Sequence, residues 1–159
     1  MAIIRVTTDI AASPTVCFDL ARSVDAHVAT TAGTRERAVR GVTSGLLELG
    51  DEVTWRARHF GITQELTSRI TVFDRPLHFR DEMVEGAFHR LVHHHLFEAL
   101  PTGTRMVDLL DYAAPTGPLG TIAERLFLTS YLSRFIAERG QALRRIAESD
   151  EWRRFAGVS

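Results

Sequence analysis

The sequence predicts an α+β protein in which an antiparallel sheet is covered by one long C-terminal helix. Apolar and polar residues alternate with period two through most of residues 35–114, which is typical of strands with one buried face. Glycine-containing turns interrupt this alternation at short intervals, and such connections leave no room for the crossover helices of a parallel sheet. After residue 120, apolar residues instead recur at helical spacing.

The N-terminal region predicts one strand followed by two short helices. Residues 3–10 alternate as a strand does. Ser13 and Pro14 favour a helix start, because a serine side chain can cap the helix and the fixed φ of proline suits its first turn. Cys17 falls on the apolar face of this helix and is predicted to be a core residue. A second short helix is predicted over residues 23–29.

Residues 35–114 predict a meander of strands with turns at residues 49–51, 59–61, 85–86 and 101–103. Alternation also predicts which side chains face inward. In the last strand two faces compete, and we choose the face that holds Asp108 because it leaves Arg105 in solvent. The predicted inward positions are Val53, Trp55, Ala57, His59, Ile62, Gln64, Leu66, Ser68, Ile70, Val72, Phe79, Asp81, Met83, Thr104, Met106, Asp108, Leu110 and Tyr112.

The last third of the chain predicts a long amphipathic helix. Thr116-Gly117-Pro118 and the Thr121–Glu124 segment, which is shaped like a capping box, offer two overlapping starts. The apolar stripe must cover an apolar surface, most economically the face of the sheet. Its members are Ile122, Leu126, Leu128, Tyr131, Leu132, Phe135, Ile136, Leu143 and Ile146. The predicted polar face carries Arg134, Glu138, Arg139, Arg144 and Arg145.

Length and charge bound the classes of function. The 159 residues fit one domain over 1–159, and the formal net charge of −1 favours neither a nucleic-acid surface nor a basic membrane patch. The single cysteine excludes an internal disulfide and suits a reducing compartment. We therefore expect a cytoplasmic protein with no nucleic-acid partner, no stable membrane insertion, and a monomeric or homodimeric state, since no apolar run has the length of a membrane span.

Four segments carry a resemblance to a known family: GDEVTWRARHFG at 50–61, QELTSRITVFDRP at 64–76, HHHLFEALPTGTRMVD at 93–108 and GPLG at 117–120. The chain resembles the START-like SRPBCC superfamily, which includes birch-pollen-allergen-type proteins, polyketide cyclases and lipid-transfer domains. It is most similar to bacterial single-domain members described as polyketide cyclases or ligand-binding proteins. The resemblance implies a helix-grip fold, with a curved sheet wrapped around the terminal helix and an elongated hydrophobic cavity between them.

The segment HRLVHHHLFEAL, residues 89–100, holds four of the seven histidines. In a strand, His93, His95 and Phe97 share one face and His94 lies on the other. His-x-His occurs in zinc sites, and His59 or Asp108 could supply a third ligand. Buried histidines that hydrogen-bond to a neighbouring carboxylate also explain the pattern, and nothing in the sequence specifies ligand geometry, so we predict no metal and no other cofactor.

Two functions compete for these residues. The preferred hypothesis is a carrier or sensor of a small apolar or aromatic ligand, lipid-like or polyketide-like. Its predicted apolar contacts are Trp55, Phe79, Met83, Phe97 and Met106, and its predicted polar contacts are His59, Gln64, Asp81, His93, His95 and Asp108. The alternative is a cyclase or dehydratase in which His93 or His95 acts with Asp81 or Asp108 as an acid-base pair. A protein-interaction module, which predicts no enclosed cavity, is a third hypothesis.

Overall fold

The computed structural model describes residues 2–114 and 123–157. The order of the elements is the predicted one, with an additional short helix at the end. The elements are β1 (Ala2–Ile10), α1 (Pro14–Ala21), α2 (Val24–Thr30), a 3₁₀ turn (Ala32–Thr34), β2 (Arg37–Gly41), β3 (Glu52–His59), β4 (Ile62–Asp74), β5 (His78–Glu85), β6 (Arg90–Leu100), β7 (Gly103–Ala113), α3 (Ala123–Ala147) and α4 (Trp152–Phe155). Both predicted starts of α3, at Thr116 and Thr121, lie outside the described residues.

The seven described strands form one antiparallel sheet in the order β1-β7-β6-β5-β4-β3-β2. Because β1 pairs with β7, the first and last strands lie side by side. Helix α3 packs on the inward face of the sheet. This arrangement confirms the predicted α+β helix-grip fold. Within the described part of the chain, no helix combines the length and the apolar character needed to cross a membrane.

The predicted inward face of β7 is correct. Thr104, Met106, Asp108, Leu110 and Tyr112 are each at most 4% exposed. The opposite face carries Arg105, whose side chain forms an exposed ion pair with Asp9 of β1. Alternation therefore identified this face even though an aspartate lies on it.

The predicted inward face of β4 is correct from Gln64 to Ile70, whereas Ile62, also predicted to point inward, is 60% exposed. The pairing of β4 with β5 shifts between Ile70 and Val72, where two residues of β4 stand opposite Arg80 alone. Such a bulge exchanges the two faces of a strand. Val72, predicted to point inward, is displaced from that face, and Phe73 packs against the buried Phe18 instead, with ring centroids 5.3 Å apart.

Helix α1 supplies the centre of the core. Ser13 caps it as predicted, because its Oγ accepts a hydrogen bond from the Val16 amide at 3.3 Å. Phe18 is fully buried, and its ring lies 5.2 Å from the ring of Phe79 and 5.4 Å from that of Phe97. Cys17 is buried beside it, and burial raises the pKa of the Cys17 thiol to about 11. This cysteine is thus an unreactive core residue.

One predicted polar residue of α3 is buried. Arg139 is 6% exposed, and its Nη2 donates a hydrogen bond to the Ala21 carbonyl at 3.2 Å. The following residue, Gly140, lies so close to β1 that an added Cβ would be 2.7 Å from Thr8 Oγ1. This close approach of helix and strand brings Arg139 into the interior. Its assignment to the solvent face was therefore wrong.

The turn between β6 and β7 requires a glycine at position 103, and a substitution there tests this requirement. Gly103 has φ +148°, and a Cβ there would lie 2.1 Å from the Ile10 carbonyl oxygen. Gly50 has φ +86° with open space around it. We expect Gly103→Ala to lower the free energy of unfolding by about 3 kcal/mol, from backbone strain and a clash with a carbonyl that cannot move aside. The control Gly50→Ala, which adds strain alone, should lose about 1 kcal/mol. Equal losses in urea unfolding would contradict this prediction.

Candidate functional site

A cavity of about 650 Å³ lies between the inner face of the sheet and α3. Strands β3 to β7 supply one side of it, and α3 supplies the other through Leu128, Leu132, Phe135 and Ile136. Seven of the predicted site residues line it: Trp55, His59, Gln64, Phe79, Asp81, His93 and His95. The hypothesis of a protein-interaction module predicted no enclosed cavity, and a space of this size between sheet and helix does not favour it.

Four predicted site residues lie elsewhere. Phe97 is 3% and Met106 is 1% exposed, and both belong to the core that α1 and α3 fill. Met83 packs over Gly86 in the connection between β5 and β6. Asp108 lies behind the two histidines of β6 and is 1% exposed. Alternation identified the face of each strand correctly, but it carries no information about which part of that face the helices cover.

The buried carboxylate of Asp108 joins the two inward histidines of β6. His93 Nε2 donates a hydrogen bond to Asp108 Oδ1 at 2.9 Å. His95 Nδ1 lies 3.2 Å from the same oxygen, and His95 Nε2 donates to Asp81 Oδ1 at 3.0 Å. The two imidazole rings are 3.8 Å apart, and Phe79 stacks on His95 at 4.2 Å. We call Asp81, His93, His95 and Asp108 the β6 cluster.

Charge is unequally distributed within the β6 cluster. Burial opposes the charged form of His95, but the hydrogen bonds and charges of Asp108 and Asp81 outweigh it and raise the pKa of His95. Burial and the neighbouring charge of His95 lower the pKa of His93. Burial also opposes the Asp108 carboxylate, but its contacts with both histidines bring the pKa of Asp108 well below the usual range. Positive charge in the cluster is therefore favoured on His95 over His93, and His93 is neutral at pH 7.

The hydrogen bond with Asp108 fixes the tautomer of neutral His93. Because Nε2 carries the proton, Nδ1 holds the lone pair. No described residue supplies a hydrogen-bond partner for this Nδ1, and the side chain lines the cavity with 13% of its surface exposed. His93 thus offers a proton acceptor to the contents of the cavity.

A second group of polar residues lines the cavity, and only one of them, His59, is predicted from the sequence as a site residue. The Glu36 carboxylate accepts a short hydrogen bond from His27 Nε2 and lies 3.9 Å from His59 Nε2. His59 Nδ1 is hydrogen-bonded to the Tyr131 hydroxyl at 2.6 Å. Burial raises the pKa of Glu36, but its interaction with His27 outweighs this effect and lowers it. We call these four residues the Glu36 cluster.

The Glu36 cluster has little signature in the sequence. His27 lies on α2, Glu36 precedes β2, and Tyr131 belongs to the apolar stripe of α3. Burial lowers the pKa of both His27 and His59, so both are neutral at pH 7. The one available signal was Tyr131, whose hydroxyl must find a partner when its ring is buried.

Arg139 lines the cavity as well. Its positive charge acts on both clusters, since it lowers the pKa of Glu36 and of Asp81. No sequence pattern indicates this role, because Arg139 follows the spacing of an ordinary solvent-facing position on α3.

Aromatic side chains mark the opening of the cavity. Phe60, in the β3–β4 turn, and Phe127, on α3, both line the cavity although they are 52% and 62% exposed. Their rings lie 5.4 Å apart, and Phe60 lies 4.5 Å from Tyr131.

The β6 cluster also has the composition of a metal site. One ligand atom each from Asp81, His93 and His95 lies within 4.8 Å of the others. Asp81, rather than the predicted His59, completes this group, because His59 belongs to the Glu36 cluster. The imidazole nitrogens that face the carboxylates are already hydrogen-bonded to them. The expectation of no metal stays a prediction.

The fold and the cavity together define a helix-grip protein with a space between its sheet and its long helix. A family model described as polyketide cyclase / dehydrase and lipid transport matches residues 10–138. The chain belongs to this family, as its resemblance to the START-like SRPBCC superfamily implied. No curated protein sequence matches it significantly.

Solved structures share the fold at low sequence identity. TTHA0849 from Thermus thermophilus is 19% identical with a TM-score of 0.76, over 91% of this chain and 95% of that one. The Zhui aromatase/cyclase from Streptomyces sp. R1128 is 16% identical with a TM-score of 0.74, over 92% and 93%. Ginseng major latex-like protein 151 from Panax ginseng is 16% identical with a TM-score of 0.68, over 92% and 97%. These similarities establish the fold.

The raised pKa of His95 predicts a pH-dependent stability. A histidine in the unfolded chain titrates near pH 6.5, so the stabilisation from a higher native pKa is complete below about pH 6.5. It is lost as the pH rises through the native pKa of His95. We expect the difference in unfolding free energy between the wild type and His95→Gln to shrink between about pH 6.5 and 9. Urea unfolding at several pH values measures it, and a constant or growing difference would rule out a charged His95.

Proposed function

We propose that the protein binds an apolar or aromatic small molecule in the cavity between sheet and helix. The cavity itself is the observation on which this proposal rests. Its volume of about 650 Å³ falls within the range of about 300 to 1,000 Å³ that is usual for small-molecule sites. The family description, which joins cyclases with lipid transport, supports the same proposal.

The lining favours a ligand with an apolar body. Leu66, Ile70, Leu91 and Leu110 line the sheet side and face the apolar residues of α3. Transfer of apolar surface from water contributes about 25 cal/mol per Å². A hydrocarbon chain or ring system of moderate size would thus gain several kcal/mol here.

Stacked rings in the lining favour aromatic ligands in particular. Trp55 stacks on His27 with centroids 4.0 Å apart, and Phe79 stacks on His95. Such pairs present flat faces against which another ring can lie.

We also propose a cytoplasmic location, which the single buried Cys17 supports. For the oligomeric state, we expect either a monomer or a homodimer.

Filling the cavity tests the binding function. Ala57 lines the cavity, whereas Arg58 is exposed on the other face of β3. With the neutral probe N-phenyl-1-naphthylamine, we expect the wild type and the control Arg58→Leu to give the same fluorescence titration. Ala57→Leu should bind the probe at least about tenfold more weakly, because its side chain occupies the ligand volume.

Native mass spectrometry of freshly purified protein would then identify any natural ligand that is retained. Absence of probe binding by the wild type, or equal binding by Ala57→Leu, would contradict the proposed function.

A second candidate function is a cyclase or dehydratase acting on a poly-β-ketone. His93 favours it, because its side chain lines the cavity, its Nδ1 has no partner among the described residues, and Asp108 fixes its tautomer. Nδ1 would take a proton from a methylene between two carbonyls. The resulting carbanion would attack a carbonyl farther along the chain and form a carbon–carbon bond and an alkoxide, to which protonated His93 returns its proton. The hydroxyl so formed then leaves with a proton from the adjacent carbon as water. The similar fold of an aromatase/cyclase is compatible with this function.

Variants of two adjacent histidines, which lie on opposite faces of β6, distinguish the two functions. In an enzyme, His93→Gln should lower turnover of a synthetic linear poly-β-ketone thioester by at least about 100-fold. The control His94→Gln should leave turnover unchanged, because His94 lies on the outer face and pairs with His78. Liquid chromatography with mass spectrometry would compare cyclised products with the spontaneous background. A wild type no faster than that background rejects the enzyme, and probe binding by His93→Gln shows whether the cavity survives.

A further inference from the structure

We propose that Arg139 forms a polar subsite that receives the neutral carbonyl oxygen of an otherwise apolar ligand. This inference deepens the proposed binding function and rests on it. By this proposal, Arg139 makes the protein bind a ligand with a carbonyl group more tightly than a ligand of the same size and shape without one.

The guanidinium of Arg139 has unused donors. The residue is 6% exposed, and its one hydrogen bond among the described residues goes from Nη2 to the Ala21 carbonyl. Its Nε is completely buried without a partner in the described part of the chain. A guanidinium has five N–H groups, and a buried donor left unpaired costs free energy. Nε is closed off from the cavity, but Nη1 has no partner in the described part of the chain and is not completely buried, so it could donate to a ligand oxygen there.

Arg139 is charged but has no direct ion pair among the described residues. Glu36 and Asp81 are close enough for its charge to lower the pKa of each, yet their own hydrogen bonds go to His27 and His95. The two carboxylates therefore offset the charge of Arg139 from a distance and leave its N–H groups available.

The charges around the cavity favour a neutral ligand. Interactions within the cavity wall lower the pKa of Glu36, Asp81 and Asp108, so all three carry negative charge, and Arg139 supplies positive charge beside them. A ligand carboxylate beside Arg139 would also meet the fields of Glu36 and Asp81, which are repulsive. A ketone or related carbonyl oxygen can accept from the guanidinium without adding a charge.

The position of Arg139 on α3 fixes the direction of such a ligand. Leu132, Phe135 and Ile136 line the cavity seven, four and three residues earlier, and these spacings place all four side chains along one face of the helix. An apolar body packed against the first three would bring a terminal oxygen to Arg139.

Three naphthalene derivatives test the subsite by calorimetry. The ketone 2-acetylnaphthalene and the alkene 2-isopropenylnaphthalene have nearly the same shape, and only the ketone carries the acceptor. 2-Naphthoate replaces the neutral carbonyl with a carboxylate. We expect the wild type to bind the ketone about tenfold or more tighter than the alkene, since a hydrogen bond to a charged donor has this effect. The carboxylate should bind more weakly than the ketone.

Variants assign the preference to Arg139. Arg139→Met should bind the ketone and the alkene equally, and Arg139→Lys, which keeps a charged donor, should retain part of the preference. The control Arg134→Met changes an exposed arginine of the same helix and should behave as the wild type. A merely structural role for Arg139 would lower stability in Arg139→Met and leave the ratio of the two affinities unchanged.

The outcomes separate this inference from the function on which it depends. Equal binding of ketone and alkene by the wild type would overturn the carbonyl subsite and leave the binding function intact. Tightest binding of 2-naphthoate would overturn it in favour of an anionic ligand. If none of the three compounds binds, both the subsite and the proposed function fail.

Discussion

The contact between Asp108 and the two inward histidines of β6 is the interaction on which the interior of this protein depends. A carboxylate 1% exposed can stay ionised only if its contacts compensate for the loss of water. His93 and His95 supply that compensation from the neighbouring strand, where His95 lies directly opposite Asp108 and His93 two residues before it. Removing one partner of a buried charged pair typically costs about 3 to 5 kcal/mol. The polar part of the cavity is therefore part of the structure as well as of the site.

Two carboxylate–histidine clusters face the same cavity with different charge states. In the β6 cluster, two carboxylates surround His95 and raise its pKa. In the Glu36 cluster, one carboxylate is shared between His27 and His59, and burial keeps both imidazoles neutral. The histidine with two carboxylate neighbours thus has the raised pKa, and the histidines that share one carboxylate have lowered pKa values. The charge of Arg139 acts on both clusters. A ligand in this cavity meets donors and acceptors whose positions the protein has already fixed.

Helix α3 has two physical roles that its amphipathic pattern does not distinguish. Part of its apolar stripe packs against the sheet. Part of the stripe also lines the cavity, where the sheet does not fill the space opposite it. Tyr131 and Arg139 add a hydroxyl and a guanidinium to the same surface. The close approach of Gly140 to Thr8 sets the depth at which the helix lies. Packing at one glycine therefore influences the chemistry of the site.

Local sequence patterns were sufficient to predict the strands, the helices, and the inward face of β3, β6 and β7, because alternation and turn residues are local properties. They placed His93, His95 and Asp108 on one side of the sheet for the same reason. Three-dimensional packing was needed to show that Phe97 and Met106 lie beneath α1 and α3 while His93 reaches the cavity.

Packing also explains why a bulge turns Phe73 inward, and why His27, Glu36, Tyr131 and Arg139 join the site. These residues lie on elements far apart in sequence. Their meeting depends on sheet curvature and helix depth, which arise from long-range contacts and leave no periodic pattern in the chain.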